Sequence, residues 1–459
     1  MSTSAEAASR RIHLNAFDMT CVAHQSPGLW RHPQDQSHRY KDIDYWTDLA
    51  RLLEKGRFDS LFIADVLGVY DVYQDSAIAS IVGADQIPVN DPLMQISAMA
   101  AVTKHLGFAI TVSSTYEKPY AFARKLSTLD HLSKGRVGWN IVTSYLESAA
   151  RNLGLDHQVP HDRRYELADE FLEVCYKLWE YSWDDDAVVR DQANGVFTRP
   201  DGIRPIEHKG TYFEVPGYHL CEPSPQRTPV LFQAGASPAG RAFAARHAEA
   251  IFITGTRPEV LRPKVKDIRN LLEASNRDPR SVKIFPLITV VTAATDEEAQ
   301  AKYRDFLHYA SYDGALALYG GWSGLDLSGY DPGQPLKYIE TEAVRSAVEA
   351  FTTADPDRTW TPREIANWVT VGGMGPVLVG GPGKIADELE RWADEADVDG
   401  FNLAYAITPG TFEDLVEYVV PELQRRQRVR TEYDGATLRE NLLGQPRLRD
   451  DHPAARYRR

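Results

Sequence analysis

Short, nearly continuous apolar runs alternate with longer stretches of helical period from Ile12 onward, and this alternation admits few folds. A strand that is apolar on both faces must be covered on both, which is the condition of a parallel sheet crossed by helices. The runs Ile12–Ala16, Ser60–Ala64, Gly107–Val112, Arg136–Ile141, Pro229–Gln233, Ala250–Ile253, Ile284–Val291 and Gly400–Tyr405 have that character. Helical period is legible at Ile43–Lys55, Leu93–Lys104, Tyr120–Leu132, Tyr165–Tyr181, Ser237–His247, Arg257–Ser275, Asp296–Tyr309 and Thr411–Gln427, with Gly56 as the C-cap of the first. Eight strands answered by eight helices predict an α/β fold, the TIM (β/α)8 barrel.

A plain barrel needs ~250 residues. The chain has 459, so the expectation is a single domain over residues 1–459 with its surplus in large insertions, about 183–228 and 310–379, and in an extended C-terminal arm, 430–459. In the first insertion Gly210–Val215 and Tyr218–Cys221 are expected to pair as a hairpin. The second carries Tyr319-Gly-Gly-Trp322 and an amphipathic stretch, Ile339–Phe351, and long insertions of this kind serve as lids or binding loops. A formal charge of −14 repels phosphate backbones and anionic lipid, so neither nucleic acid nor membrane is an expected partner. There is no apolar leader and no run of ~18 apolar residues. With Cys21, Cys175 and Cys221 as the three cysteines and no disulfide framework readable, the expected compartment is the cytoplasm.

Several chemistries are excluded by motif. No G-x-G-x-x-G follows a strand, which argues against a Rossmann dinucleotide site. Gly235-Ala-Ser-Pro-Ala-Gly240 has P-loop glycine spacing but is followed by Arg241 where Lys is required, and Gly380-Gly-Pro-Gly-Lys384 lacks the spacing. No H-E-x-x-H and no cysteine pair occurs among the histidines and thiols, so no metal is predicted. What remains lies at the C-terminal ends of the strands, where barrel enzymes build their sites. Asp65 ends the second strand, Thr111, Ser113 and Ser114 the third, Asn140, Thr143 and Ser144 the fourth, Gly235 and Ser237 the fifth. Each alone reads as capping or turn chemistry. Their concentration at one mouth points instead to a ligand with a phosphate and many hydrogen-bonding atoms, with Ser237 opening a helix whose free N–H groups suit the phosphate. His161-Asp162, before Tyr165 at the start of a long helix, is another position suited to an anion. Cys21 and His24 follow the first strand. They form either a nucleophilic pair or, as buried cysteines often do, a packed thiol beside a pocket or structural histidine.

These residues resemble a family. The stretches Asn15–Pro33 (NAFDMTCVAHQSPGLWRHP), Phe62–Tyr73 (FIADVLGVYDVY), Ser127–Arg136 (STLDHLSKGR), Trp139–Ser144 (WNIVTS) and His161–Glu166 (HDRRYE) are similar to the nitrilotriacetate monooxygenase branch of the bacterial-luciferase-like flavin monooxygenases. So are Cys221–Pro229 (CEPSPQRTP), Gln233–Ser237 (QAGAS) and Asp399–Asn402 (DGFN), and the likeness runs from Arg11 to Arg458. The resemblance implies a TIM barrel, FMN bound as FMNH2 that a separate NAD(P)H:flavin reductase supplies, and O2 activated as a C4a-(hydro)peroxyflavin. Carried over by motif, the FMN contacts fall on Asp65, Thr111, Ser144, His161, Tyr165, Ala236 and Ser237. Cys21, His24, Tyr70 and Gln86 match positions that matter in an alkane-oxidising member, and Tyr145 replaces a histidine of that member, as do Ala315 and Leu318 in the stretch Gly314–Gly321. The segments Ala315–Trp322, Gly375–Pro382 and Asn402–Tyr405 look like the sulfide-oxidising members. The resemblance therefore implies a small-molecule substrate, a small organosulfur compound such as dimethyl sulfide giving methanethiol and formaldehyde. Two alternatives stay open: the same chemistry on a long-chain alkane or on riboflavin, and a non-catalytic flavin-binding barrel. Family habit implies a homodimer or homotetramer.

Overall fold

In the computed structural model, which describes residues 10–235, 237–339 and 341–458, eight parallel strands close into a barrel. They are β1 (His13–Met19), β2 (Ser60–Ala64), β3 (Gly107–Ser113), β4 (Val137–Val142), β5 (Val230–Gln233), β6 (Ala250–Ile253), β7 (Lys283–Thr292) and β8 (Gly400–Ala404). Each strand pairs in parallel with its successor, and β8 returns to β1 with His13 opposite Gly400 and Asn15 opposite Asn402. This is the TIM barrel that the alternation predicts, with strand bounds displaced by a few residues at most. A ninth parallel strand, Val377–Gly380, pairs with the outer half of β7 after β8 has left it.

The barrel interior is filled by aromatic rings: Phe17, Phe62, Phe252 and Phe232 stack in sequence, with centroids 4.9, 4.4 and 5.6 Å apart. A closed wall of this radius leaves room for side chains and no pore. The C-terminal arm seals the floor. Its helix Leu438–Leu443 inserts Leu438 and Leu442 beneath Phe62 and Phe232, and Arg430 reaches the buried Asp59 at the start of β2 with a 2.5 Å bond.

The outer helices are α1 (Ile43–Lys55), α2 (Ile96–Ala101), α3 (Pro119–Ser133), α4 (His161–Tyr176), α5 (Pro238–His247), α6 (Pro258–Ala274) and α7 (Pro382–Ala396), followed after β8 by Gly410–Asp414 and Val420–Arg425 joined through a π turn. Three expectations change. Helix α7 is absent from the sequence reading, which gave the seventh place to Asp296–Tyr309. That helix buries only Ala299 and Phe306 and lies on the ninth strand, whereas α7 buries six side chains and packs on α6. Helix α4 begins at His161, a turn earlier than its apolar period, because Pro160 ends the preceding extended segment. In the first insertion His208–Lys209 pairs with Glu214–Val215, not 210–215 with 218–221. The Glu170 carboxylate gathers the backbone N–H groups of Thr211, Tyr212 and Phe213 at 2.7 to 3.0 Å and bends the chain there.

The second insertion sits over the C-terminal mouth. Helix Tyr312–Ser323, capped by Ser311 whose Oγ accepts the Gly314 N–H at 3.0 Å, buries every residue from Gly314 to Ser323. It packs between Pro362–Val369 and the loops after β2 and β4, through Tyr70, Leu146 and Ala149. Among the described residues no helix is long and apolar enough to cross a membrane.

Candidate active site

A cleft of about 280 Å³ opens at the C-terminal mouth between the loops after β2, β3, β4 and β5 and the segment Ala343–Ser346 of the second insertion. Asp65, Thr111, Ser144, His161, Tyr165 and Ser237 all line it. Ala236 lies outside the described residues.

Part of the cleft lining brings together an N-cap turn and a buried guanidinium. Ser237 precedes α5 as N-cap, its Oγ accepting the Gly240 N–H at 3.1 Å. The turn before it is close-packed: a Cβ on Gly235 would lie 2.9 Å from the Cα of Gly240, so backbone stands where a side chain would otherwise intrude. Helix α4 begins here with His161, whose N–H donates to the Glu342 carboxylate at 3.1 Å and whose Nδ1 pairs with Asp162 at 2.7 Å. Between the two helices Arg164 is 1 % exposed, and its bonded partners are the carbonyls of Ser144 and, at 2.8 Å, Glu342. Its charge has no bonded carboxylate among the described residues, and a buried cation in that position is costly until an anion joins it. Arg164 escaped the sequence reading. Helical spacing from His161 through Arg164 and Tyr165 to Ala168 would have shown it on the inward face.

Further polar residues line the same cleft. Asp65 is pushed up to about 7 by burial, with the Asp91 charge adding to it, so the carboxyl holds its proton near neutrality. Thr111 accepts the Asn140 Nδ2 at 3.0 Å, and Ser144, held at φ 57°, donates to Ser113 Oγ at 2.8 Å. Ser114 and Asn140 are buried below the surface of the cleft, while Ser113 and Thr143 line it.

Of the five residues expected to act on substrate, Tyr145 lines the cleft and the others stand behind it. The Tyr145 and Tyr70 hydroxyls meet at 2.8 Å, Tyr70 donates to Gln86 Oε1 at 2.9 Å, and Gln86 Nε2 donates to the His24 carbonyl at 2.9 Å. His24 is 1 % exposed, edge-on to Phe17 at 4.4 Å, and its Nδ1 has no partner. Burial lowers its pKa to about 3, so the imidazole is neutral. Cys21 is buried, and burial, then the carboxyls of Asp18, Asp85 and Asp65, raise its thiol well above the ordinary value. A nucleophilic Cys21/His24 pair needs a thiolate, and this environment opposes one. No group of histidine, cysteine and carboxylate side chains suited to a metal ion occurs among the described residues.

Comparison with known proteins places this geometry. The model of luciferase-like monooxygenases matches residues 20–399. The chain belongs to the luciferase-like monooxygenase family. It is a flavin-dependent monooxygenase by that membership. It is 57% identical to the dimethyl-sulfide monooxygenase of Hyphomicrobium sulfonivorans over 98% of this chain and 94% of that one. It is 52% identical to the long-chain alkane monooxygenase of Geobacillus thermodenitrificans over 98% of both. The crystal structure of a riboflavin lyase with modified FMN and riboflavin superposes with a TM-score of 0.92 at 39% identity, covering 98% of this chain and 100% of that one.

Proposed function

We propose that the chain is the oxygenase of a two-component system: a separate NAD(P)H:flavin reductase supplies FMNH2, and a small organosulfur compound such as dimethyl sulfide is oxidised to methanethiol and formaldehyde. The observation that carries the reading is the buried Arg164 guanidinium, without a bonded carboxylate among the described residues, in one cleft with the Ser237 N-cap of α5. The residues fit FMN. Arg164 and the Ser237 turn would hold the phosphate, and Asp65, Thr111 and Ser144 would border the ring. Bound reduced flavin supplies two electrons to O2, so that one oxygen atom enters the substrate and the other leaves as water. In balance, dimethyl sulfide, O2 and FMNH2 give methanethiol, formaldehyde, FMN and water.

The protein's own contribution is positioning and exclusion of water. The second insertion covers the mouth, and the −14 charge leaves small neutral sulfides unhindered.

Turnover with FMN, a flavin reductase, NADH and O2 tests the reading, comparing dimethyl sulfide, a long-chain alkane and riboflavin by product mass. Formaldehyde from dimethyl sulfide well above peroxide release is the expected result. Formaldehyde no faster than uncoupled peroxide, with product from either other substrate, overturns the sulfide assignment.

A further inference from the structure

The hydrogen-bond chain behind the cleft has only one allowed direction. Gln86 Nε2 faces the His24 carbonyl at 2.9 Å, an oxygen that can only accept, so the amide is fixed with Oε1 toward Tyr70. Reversing the amide would set oxygen against oxygen at one end. Since Gln86 Oε1 can only accept, Tyr70 spends its single proton there at 2.9 Å. The contact between the Tyr70 and Tyr145 hydroxyls at 2.8 Å must then be donated by Tyr145. With its proton turned inward, Tyr145 shows lone pairs to whatever occupies the cleft.

The surroundings hold this arrangement in place. Gln86 sits at φ 54°, in the left-handed region that non-glycine residues keep only where neighbours over-determine it. The Tyr70 ring lies flat against the backbone of the insertion helix, where a Cβ on Gly321 would fall 2.3 Å from the ring. The backbone at Gly321 of the second insertion thus positions Tyr70.

We propose that Tyr145 meets the cleft solely as a hydrogen-bond acceptor, and that this selects the reduced over the oxidised flavin ring. The central ring nitrogen N5 carries an N–H when the flavin is reduced and a bare lone pair when it is oxidised. An acceptor facing that nitrogen bonds the first and repels the second. The inference rests on the flavin reading above and adds to it a residue that distinguishes the two redox states.

The experiment measures dissociation constants of the full-length protein for FMNH2, anaerobically, and for FMN, with no turnover involved. Tyr145→Phe should weaken FMNH2 binding about tenfold and leave FMN binding within twofold. Gln86→Leu removes the acceptor that commits the Tyr70 proton, so both phenols can reverse and Tyr145 can donate into the cleft. In that variant FMN should bind more tightly relative to FMNH2 by about tenfold, with circular dichroism showing native structure. A parallel loss for both redox forms in both variants identifies a merely structural role and overturns the inference. Wild-type protein that binds neither form overturns the flavin reading itself.

Discussion

Arg439 of the C-terminal arm holds the Glu249 carboxylate in a two-point grip, Nε to Oε1 at 2.8 Å and Nη2 to Oε2 at 2.9 Å, with both side chains almost wholly buried under the barrel. The same guanidinium reaches the Thr228 carbonyl at 2.8 Å, and Glu249 accepts the Leu231 N–H at 3.1 Å, so the pair ties the arm to the start of β5. Removing one partner leaves the other charge buried and uncompensated, which costs about 3–5 kcal/mol. Glu249→Gln and Arg439→Met should each lower the unfolding free energy by that amount in urea titrations. The double variant should be less destabilised than the sum, since neither stranded charge remains.

Arg164 makes a different prediction: on the flavin reading proposed above, its counter-charge is the FMN phosphate. Arg164→Met should weaken FMN binding tenfold or more while riboflavin, which has no phosphate, binds within about twofold of wild type. Ser237→Asp, which places a negative charge at the N-terminus of α5 beside the same phosphate, should also impair FMN far more than riboflavin. Isothermal titration with the two flavins separates these outcomes from general damage to the cleft, which would lower both affinities together.

How far the sequence discloses this molecule depends on the reach of each signal. Strands such as Gly107–Ser113 are buried along their whole length, so a nearly unbroken apolar run marks them. Helix α7 buries Ile385, Ala386, Leu389, Trp392, Ala393 and Ala396 at helical spacing, but its Gly-Gly-Pro-Gly opening reads as a loop and hides the start. The polar residues at strand ends were legible because barrel topology decides which end carries the site. Arg164 and Arg163 look alike as letters, and only the start of α4 decides that one is buried and the other exposed. The approach of Cys21 to Asp85 joins positions 64 residues apart and has no local signature.

Cys21 should behave as a packed thiol. Burial and three neighbouring carboxyls keep it protonated, so native protein at pH 8 should resist iodoacetamide at Cys21 while half-buried Cys221 is alkylated, as peptide mass spectrometry would show. Cys21→Ala should retain activity within about tenfold. A loss of a thousandfold or more with native structure would instead mark the thiol as a reacting group.

Asp85 gives the pH dependence a sign. It is 1 % exposed, neither carboxyl oxygen has a hydrogen-bond partner, and burial pushes its pKa from 3.8 up to about 7. In the unfolded chain the group ionises near pH 4, while the native group keeps its proton until about pH 7, so between those values the folded state binds more protons. Stability must fall as pH rises through that window, level off above it, and carry a penalty of about 4 kcal/mol from this group at pH 8. Asp18, also raised to about 7 by burial, adds to the same slope. Asp85→Asn removes the ionisation and keeps the shape, so it should match wild type near pH 4 and exceed it by several kcal/mol at pH 8. Urea unfolding at half-unit pH steps reads this directly: a difference between the two proteins that does not widen from pH 4 to 7 would show that Asp85 ionises in the native state as it does in water.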